Sequence, residues 1–132
     1  MKQYSQDFNI KDFKDLLVWQ KSAQVNHEIF ILSKGFPSFE RYELTSQLLR
    51  ASSSVPANIS EGNGQLYPKK EVTHYNVALG SCSETRNWIY IARQRDYITQ
   101  AEHDALSLKL IEIVKMLHGC IKKLNIQISN LD

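Results

Sequence analysis

The sequence predicts an all-α fold, an antiparallel up-down-up-down four-helix bundle, and three observations lead to this prediction. Four long segments carry their apolar residues at the spacing of amphipathic helices. Short stretches with glycine, proline or capping residues separate them, and such short loops join antiparallel neighbours. The chain has 132 residues, 42% of them hydrophobic, which suffices for one core, so residues 13–130 are expected to form a single domain.

The first helix is predicted over residues 15–34, and Gly35 and Pro37 end it. Its apolar residues form two stripes on opposite sides. One stripe consists of Leu16, Trp19, Ala23 and Phe30, and the second consists of Val18, Val25, Ile29 and Leu32. Because a bundle buries only one of them in its own core, we expect the second stripe to form an interface between subunits.

The residues before this helix show no sustained periodicity, and residues 1–12 are expected to form a partly ordered arm. Its candidate docking side chains are Phe8 and Ile10, whereas a frayed terminus is the alternative. In a monomer, the same two side chains would cover the second stripe.

The second helix is predicted over residues 39–61 and carries an orderly polar stripe. The stripe consists of Gln47, Arg50, Ser54, Asn58 and Glu61. Pro56 removes a backbone hydrogen bond and predicts a kink, and Gly62 ends the helix. Glu84 of the next helix is a candidate partner for Arg50. The stripe is therefore predicted to be either an internal hydrogen-bond network, a solvated face or a functional surface.

Two further helices complete the bundle, over residues 68–95 and 100–129. Pro68 suits a first helical position, and the sequence Thr-Gln-Ala-Glu at residues 99–102 is a capping box. Gly80 interrupts the third helix, where glycine costs up to about 1 kcal/mol relative to alanine. We therefore expect a neighbouring backbone to pack closely against Gly80.

Two runs of residues, QLLR at 47–50 and SVPANISEG at 54–62, resemble the signature of bacterial four-helix bundle proteins of the 23S ribosomal RNA intervening-sequence type. This S23-like family includes the accessory proteins of diversity-generating retroelements. Matching features elsewhere are FKDL at 13–16 with Trp19, FP at 36–37, and ALGS at 78–81 followed by Glu84. The resemblance covers roughly residues 11–125. Ser60 stands where the family usually has alanine, and Tyr67 replaces a more usual polar helix cap.

Composition excludes several classes of function. Cys82 and Cys120 are isolated from each other and fit packing in a reducing compartment. The four histidines share no helical spacing, and no metal-binding or nucleophile motif is present. The sequence therefore predicts no catalytic residue, no metal and no cofactor. Without a membrane-spanning segment or signal peptide, it also predicts a cytoplasmic protein with no membrane partner.

Charge neither requires nor excludes a nucleic-acid partner, because 16 basic and 14 acidic residues leave a net charge of only +2. The candidate nucleic-acid contacts are three basic pairs: Lys69 and Lys70, Arg93 and Arg95, and Lys122 and Lys123. Such pairs are more often solvated helix ends. The helix dipole alone explains the positions of Arg93 and Arg95.

The resemblance implies a bundle that associates with itself, with five subunits as in the retroelement accessory proteins, and a role close to RNA. Together with the residues, it predicts a non-enzymatic oligomeric adaptor that contacts RNA or an RNA-associated protein. The alternative is a protein–protein scaffold with no nucleic-acid role. A nucleic-acid binder would gather basic residues on one surface, whereas a scaffold would expose an apolar or mixed groove.

Overall fold

The computed structural model describes residues 11–131 and contains four helices within them. They are α1 (Leu17–Ser33), α2 (Leu44–Asn63), α3 (Pro68–Gln94) and α4 (Gln100–Leu131). Two short 3₁₀ turns, Phe13–Asp15 and Ser38–Glu40, precede α1 and α2. The described part of the chain has no strand, and the predicted all-α class is confirmed. Most of the predicted arm, including Phe8 and Ile10, lies outside the described residues.

Each helix packs on two others, as in a four-helix bundle. The contact between α2 and α3 is the most extensive, α3 also packs on α4, and α1 packs on α2 and α4. The seam between α1 and α4 is the sparsest of the four. Helices that follow each other in sequence therefore lie side by side, which fits the predicted up-down-up-down order.

Apolar side chains from all four helices form one core. Its fully buried members include Ile29, Leu48, Ile59, Ile89, Leu110 and Leu117. Burial of each such side chain contributes roughly 1.5–3 kcal/mol relative to exposure. The core therefore holds the helices together along the length that all of them share.

The second stripe of α1 lies in this core, so its prediction as an interface between subunits is wrong. Val18, Val25 and Ile29 are buried within the chain, and Leu32 packs against them. The stripe faces the other helices, and between its large residues the small side chain of Ser22 is buried too, with its hydroxyl donating to the carbonyl of Trp19. The outer face of α1 is instead the side that exposes residues such as Leu17, Phe30 and Ile31.

The structure confirms the predicted start of the fourth helix and corrects the predicted start of the second. The predicted capping box forms, since the N–H of Thr99 donates to Glu102 Oε1 at 2.8 Å and the N–H of Glu102 donates to Thr99 Oγ1 at 3.0 Å. The second helix begins at Leu44 and not at residue 39, because Glu43 has a non-helical backbone with φ −113° and ψ −109°. That helix then continues through Pro56 as one element.

The close packing expected at Gly80 occurs at Gly62. A Cβ added at Gly80 would meet nothing within 4 Å, so the prediction for that glycine is wrong. At Gly62 the added Cβ would lie 2.7 Å from Cε1 of the Tyr75 ring, closer than van der Waals contact. Glycine at the end of α2 therefore permits the approach of α3.

The last helix is longer than its neighbours and extends past them. At about 1.5 Å per residue, the 32 residues of α4 span about 48 Å, whereas the 17 residues of α1 span about 26 Å. Leu117 is the last buried residue of α4, and side chains such as Ile126 are more than half exposed. The final turns of α4 thus overhang one end of the bundle.

Candidate functional site

The predicted polar stripe of α2 forms contacts between helices over part of its length. Ser81 of α3 donates a hydroxyl hydrogen bond to Ser54 Oγ at 2.8 Å. The amide of Asn58 donates to the carbonyl and the hydroxyl of Ser54, at 2.9 and 3.0 Å. One turn further on, Glu61 Oε2 lies 3.3 Å from Nδ1 of His74 on α3. These contacts fix the register of α2 against α3.

The beginning of the stripe faces solvent. Gln47 and Arg50 are exposed, and so is Glu84. No ion pair within 4.0 Å joins Arg50 and Glu84, which are both described residues, so the predicted pairing of these two side chains is wrong. The stripe is therefore an interhelical network at one end and a solvated face at the other.

The three basic pairs lie at two different ends of the bundle. Lys69 and Lys70 are exposed at the start of α3, next to Glu71. Lys122 and Lys123 are exposed on α4, and Lys123 lines the same cavity as Glu71. Four lysines thus gather at one end, although sequence separates the two pairs by about fifty residues.

We call this the open end of the bundle, because a cavity of about 540 Å³ lies under the overhang of α4. Its lining residues are Leu16, Asn63, Glu71, Tyr75, Cys120, Lys123, Leu124, Ile126 and Gln127. They come from the chain before α1, the last residue of α2, the first turns of α3 and the end of α4. The cavity therefore meets the apolar Leu124 and Ile126 as well as Lys123 and Gln127 along α4, and the polar groups of Glu71 and Tyr75 on the α3 side.

A hydrogen-bonded pair forms the polar wall of the cavity. The buried hydroxyl of Tyr75 donates to Glu71 Oε2 at 2.6 Å, and Lys11 Nζ lies 3.9 Å from Glu71 Oε1. Burial and the hydrogen bond to Glu71 raise the pKa of Tyr75. The pKa of Cys120, also in the wall, is raised by burial and by the Glu71 carboxylate. Neither group is thus an ionised nucleophile at neutral pH.

The opposite end of the bundle is closed, and we define the closed end by Phe36, Glu40, Arg95, Tyr97 and Ile98. Both Phe36 and Ile98 are buried. Arg95 Nη1 donates to Glu40 Oε2 at 2.7 Å, and the Tyr97 hydroxyl donates to the same oxygen at 2.8 Å. The Tyr97 hydrogen bond, together with Arg95, lowers the pKa of Glu40. Arg95 is therefore part of a structural contact, which leaves Arg93 as the less constrained member of its pair.

A groove follows the sparse seam between α1 and α4. Two ion pairs bridge this seam: Lys21 with Glu112, and Lys109 Nζ with Glu28 Oε1 at 2.6 Å. The second oxygen of Glu28, Oε2, is buried and has no hydrogen-bond partner in the described part of the chain. A cavity of about 350 Å³ adjoins it, and the exposed side chains of Ile31 and Leu108 lie on the same two helices.

The described residues offer little for metal chemistry or membrane insertion. Residues 11–131 contain no group of three or more His, Cys, Asp or Glu side chains that could hold a metal ion. Within the same residues, no helix is long and apolar enough to cross a membrane. Burial raises the pKa of Cys82 to about 12, as expected of a packing residue. That no cofactor is needed stays a prediction.

Sequence reasoning missed the polar residues at both ends. Glu71 and Tyr75 stand four residues apart on a helix, a spacing at which side chains meet, so this pair was open to prediction. Glu40 binds residues more than fifty positions away, and no local pattern signals such a contact.

Comparisons with known proteins identify relatives of this bundle. A family model described as 23S rRNA-intervening sequence protein matches residues 14–119. Among curated proteins, no match is found. A solved structure from Bacteroides thetaiotaomicron VPI-5482, described as a protein with unknown function from the S23 ribosomal protein family, is similar with a TM-score of 0.73. The two sequences are 29% identical, and the match covers 80% of this chain and 99% of that one. The family model spans most of the chain, and the chain accordingly belongs to the 23S rRNA-intervening sequence protein family.

Proposed function

We propose that this protein is a non-enzymatic, self-associating adaptor that contacts RNA through the lysines of its open end. The observation that carries the proposal is the gathering of Lys69, Lys70, Lys122 and Lys123 at one end of the bundle. The family description, which refers to an intervening sequence of 23S rRNA, supports RNA as the partner. No constellation of catalytic side chains competes with this reading among the described residues.

The physics of phosphate binding sets the expected affinity. Each lysine that neutralises a phosphate releases counterions, so the observed binding constant falls with salt in proportion to the number of contacts. Four lysines per subunit, on a chain with a net charge of +2, predict modest and salt-sensitive binding. Self-association would multiply these contacts without changing any one of them.

Fluorescence anisotropy with a structured RNA hairpin at low and moderate salt tests the proposal. The variant Lys69→Gln/Lys70→Gln/Lys122→Gln leaves Lys123 in the cavity wall and is expected to weaken binding and reduce its salt dependence. Its matched control is Lys34→Gln/Arg41→Gln/Arg93→Gln, which removes three charges near the closed end. An equal loss of RNA affinity in both variants would show that binding depends on net charge and not on the open-end lysines. If the unmodified protein does not bind RNA at low salt, the RNA role is eliminated.

Self-association is proposed to use the groove between α1 and α4. Ile31 lines the groove, and the two helices that form it also expose Leu17 on α1 and Leu108 on α4; these side chains are candidates for burial against another copy. The partnerless oxygen of Glu28 would also gain a donor there. The number of five subunits stays a prediction of the resemblance.

Light scattering on Leu108→Glu measures this interface. Leu108 is 69% exposed, so the substitution is expected to lower the molar mass toward a monomer while helicity is retained. Leu66→Glu, at a position 82% exposed in the loop after α2, is the matched control and should keep the mass of the unmodified chain. A mass near 15.3 kDa for the unmodified protein at micromolar concentration would contradict self-association.

A second candidate function is a protein–protein scaffold without RNA, and the same groove favours it. Its mixed character, apolar side chains around a buried carboxylate oxygen, suits a helix or loop of another protein. Native purification followed by identification of the bound macromolecule separates the two candidates. Stoichiometric protein with no RNA would support the scaffold, and RNA that is lost in the lysine variant would support the adaptor.

A further inference from the structure

We propose that the open-end cavity is a docking site for the N-terminal residues 1–10 of the same chain, with Phe8 and Ile10 inserted under the overhang of α4. The proposal is independent of RNA binding and of self-association. It assigns one occupant to the open-end cavity of about 540 Å³.

The described chain begins at the mouth of this cavity. Lys11 Nζ lies 3.9 Å from Glu71 Oε1, and Leu16, five residues later, lines the cavity wall. An extended chain advances at most about 3.3–3.6 Å per residue, so Phe8 stays within about 10 Å of Lys11. The N-terminal segment therefore starts beside the cavity and has the length to enter it.

The sequence of the segment matches the chemistry of the cavity wall. Leu124 and Ile126 give the α4 wall an apolar part beside Lys123 and Gln127, and the cavity volume of about 540 Å³ lies in the range of about 300–1,000 Å³ that is typical of binding pockets. In an extended segment, alternate side chains point to the same side. Phe8 and Ile10 would enter the cavity together, and Asn9 between them would face solvent. Burial of these two apolar side chains favours docking over exposure to water.

Alkylation of Cys120 by iodoacetamide, followed by peptide mass spectrometry, reports on occupancy of the cavity. Cys120 is half-buried in the cavity wall, and the fully buried Cys82 serves as an internal reference. The full-length variant Phe8→Ala/Ile10→Ala is expected to be alkylated at Cys120 several-fold faster than the unmodified chain. The matched control Phe39→Ala/Leu66→Ala removes an aromatic and an aliphatic side chain that are 74% and 82% exposed, and it should leave the rate unchanged.

Two further measurements keep the proposal falsifiable. Adding a synthetic peptide of residues 1–10 to the double variant should restore slow alkylation. Ile126→Glu, which places a charge in the cavity wall, should accelerate alkylation without any change in the segment, and circular dichroism confirms that each variant stays folded. Equal Cys120 rates in the unmodified chain and the double variant would overturn the proposal. Protection that is lost on dilution together with the oligomer would also overturn it, since the segment would then come from another copy.

Discussion

The two ends of this bundle are built from the same kinds of residues but use them differently. At the closed end, the ring of Phe36 is buried and Glu40 accepts hydrogen bonds from both Arg95 and Tyr97. At the open end, a cavity of about 540 Å³ remains beneath the overhang of α4, Lys123 lines it, and the exposed Lys69, Lys70 and Lys122 lie on the same ends of α3 and α4. The closed end satisfies its polar groups within the bundle, whereas the open end leaves space and charge for something else.

This difference follows from helix length more than from composition. Connections on both sides are short, but α4 continues for 14 residues after Leu117, its last buried position, and side chains there such as Ile126 and Leu131 are more than half exposed. An apolar helix face that stays exposed marks a binding surface. Substitutions at the closed end should therefore change stability, and substitutions on the overhanging part of α4 should change binding.

The largest expected effect is at the closed end. Phe36→Ala should lower the free energy of unfolding by about 3–5 kcal/mol, because it removes a buried aromatic ring and leaves a cavity. Ile126→Ala at the open end, where the side chain is 56% exposed, should change it by no more than about 0.5 kcal/mol. Urea denaturation of both variants measures the difference. Comparable losses would show that the two ends contribute equally to the core.

Two glycines test how tightly α2 and α3 pack, because the open-end cavity lies beside α4 whereas Gly62 of α2 packs closely on Tyr75 of α3. Gly62→Ala should cost about 1–3 kcal/mol, because its Cβ would lie 2.7 Å from the Tyr75 ring. Gly80→Ala should instead stabilise the protein by up to about 1 kcal/mol. Gly80 lies inside a helix, where alanine is favoured over glycine, and the new Cβ would have no other atom within 4 Å. Melting temperatures shifting in opposite directions would agree with this packing, and two shifts of the same sign would contradict it.

The smallest stability effect concerns the charge of Glu40, whose partner Arg95 is about half exposed. The pKa of Glu40 in the folded chain lies below the value of 4.5 that applies in the unfolded chain. At a pH between the folded and the unfolded pKa, the unfolded chain therefore binds more protons than the folded one. The contribution of Glu40 is therefore complete above about pH 4.5 and is lost as the pH falls through its folded pKa. Glu40→Gln should be less stable than the unmodified chain at pH 7, and the difference should shrink as the pH falls below about 4.5. A difference that stays constant over this range would contradict the assignment.

Sequence predicted the features that depend on local order. Helical periodicity indicated all four helices, and the capping box between Thr99 and Glu102 gave the start of α4. Sequence also predicted the family, because the residues of its motif lie close together along α2.

What sequence did not predict depends on contacts between distant residues. The two stripes of α1 are similarly apolar, and only packing against α2 and α4 shows that Val25 and Ile29 face inward. Gly62 and Gly80 look alike in sequence, and their difference comes from the ring of Tyr75. The cavity draws its wall from four separate parts of the chain, so no single segment indicates it.

Hydrogen exchange of the unmodified protein, with and without a structured RNA hairpin, tests most directly whether the two ends have separate roles. RNA is expected to slow amide exchange in residues 66–73 and 118–127, which contain the open-end lysines. Residues 34–43 and 93–99 at the closed end should exchange at the same rate in both samples. Slower exchange at the closed end on addition of RNA, or no slowing at either end at low salt, would contradict these separate roles.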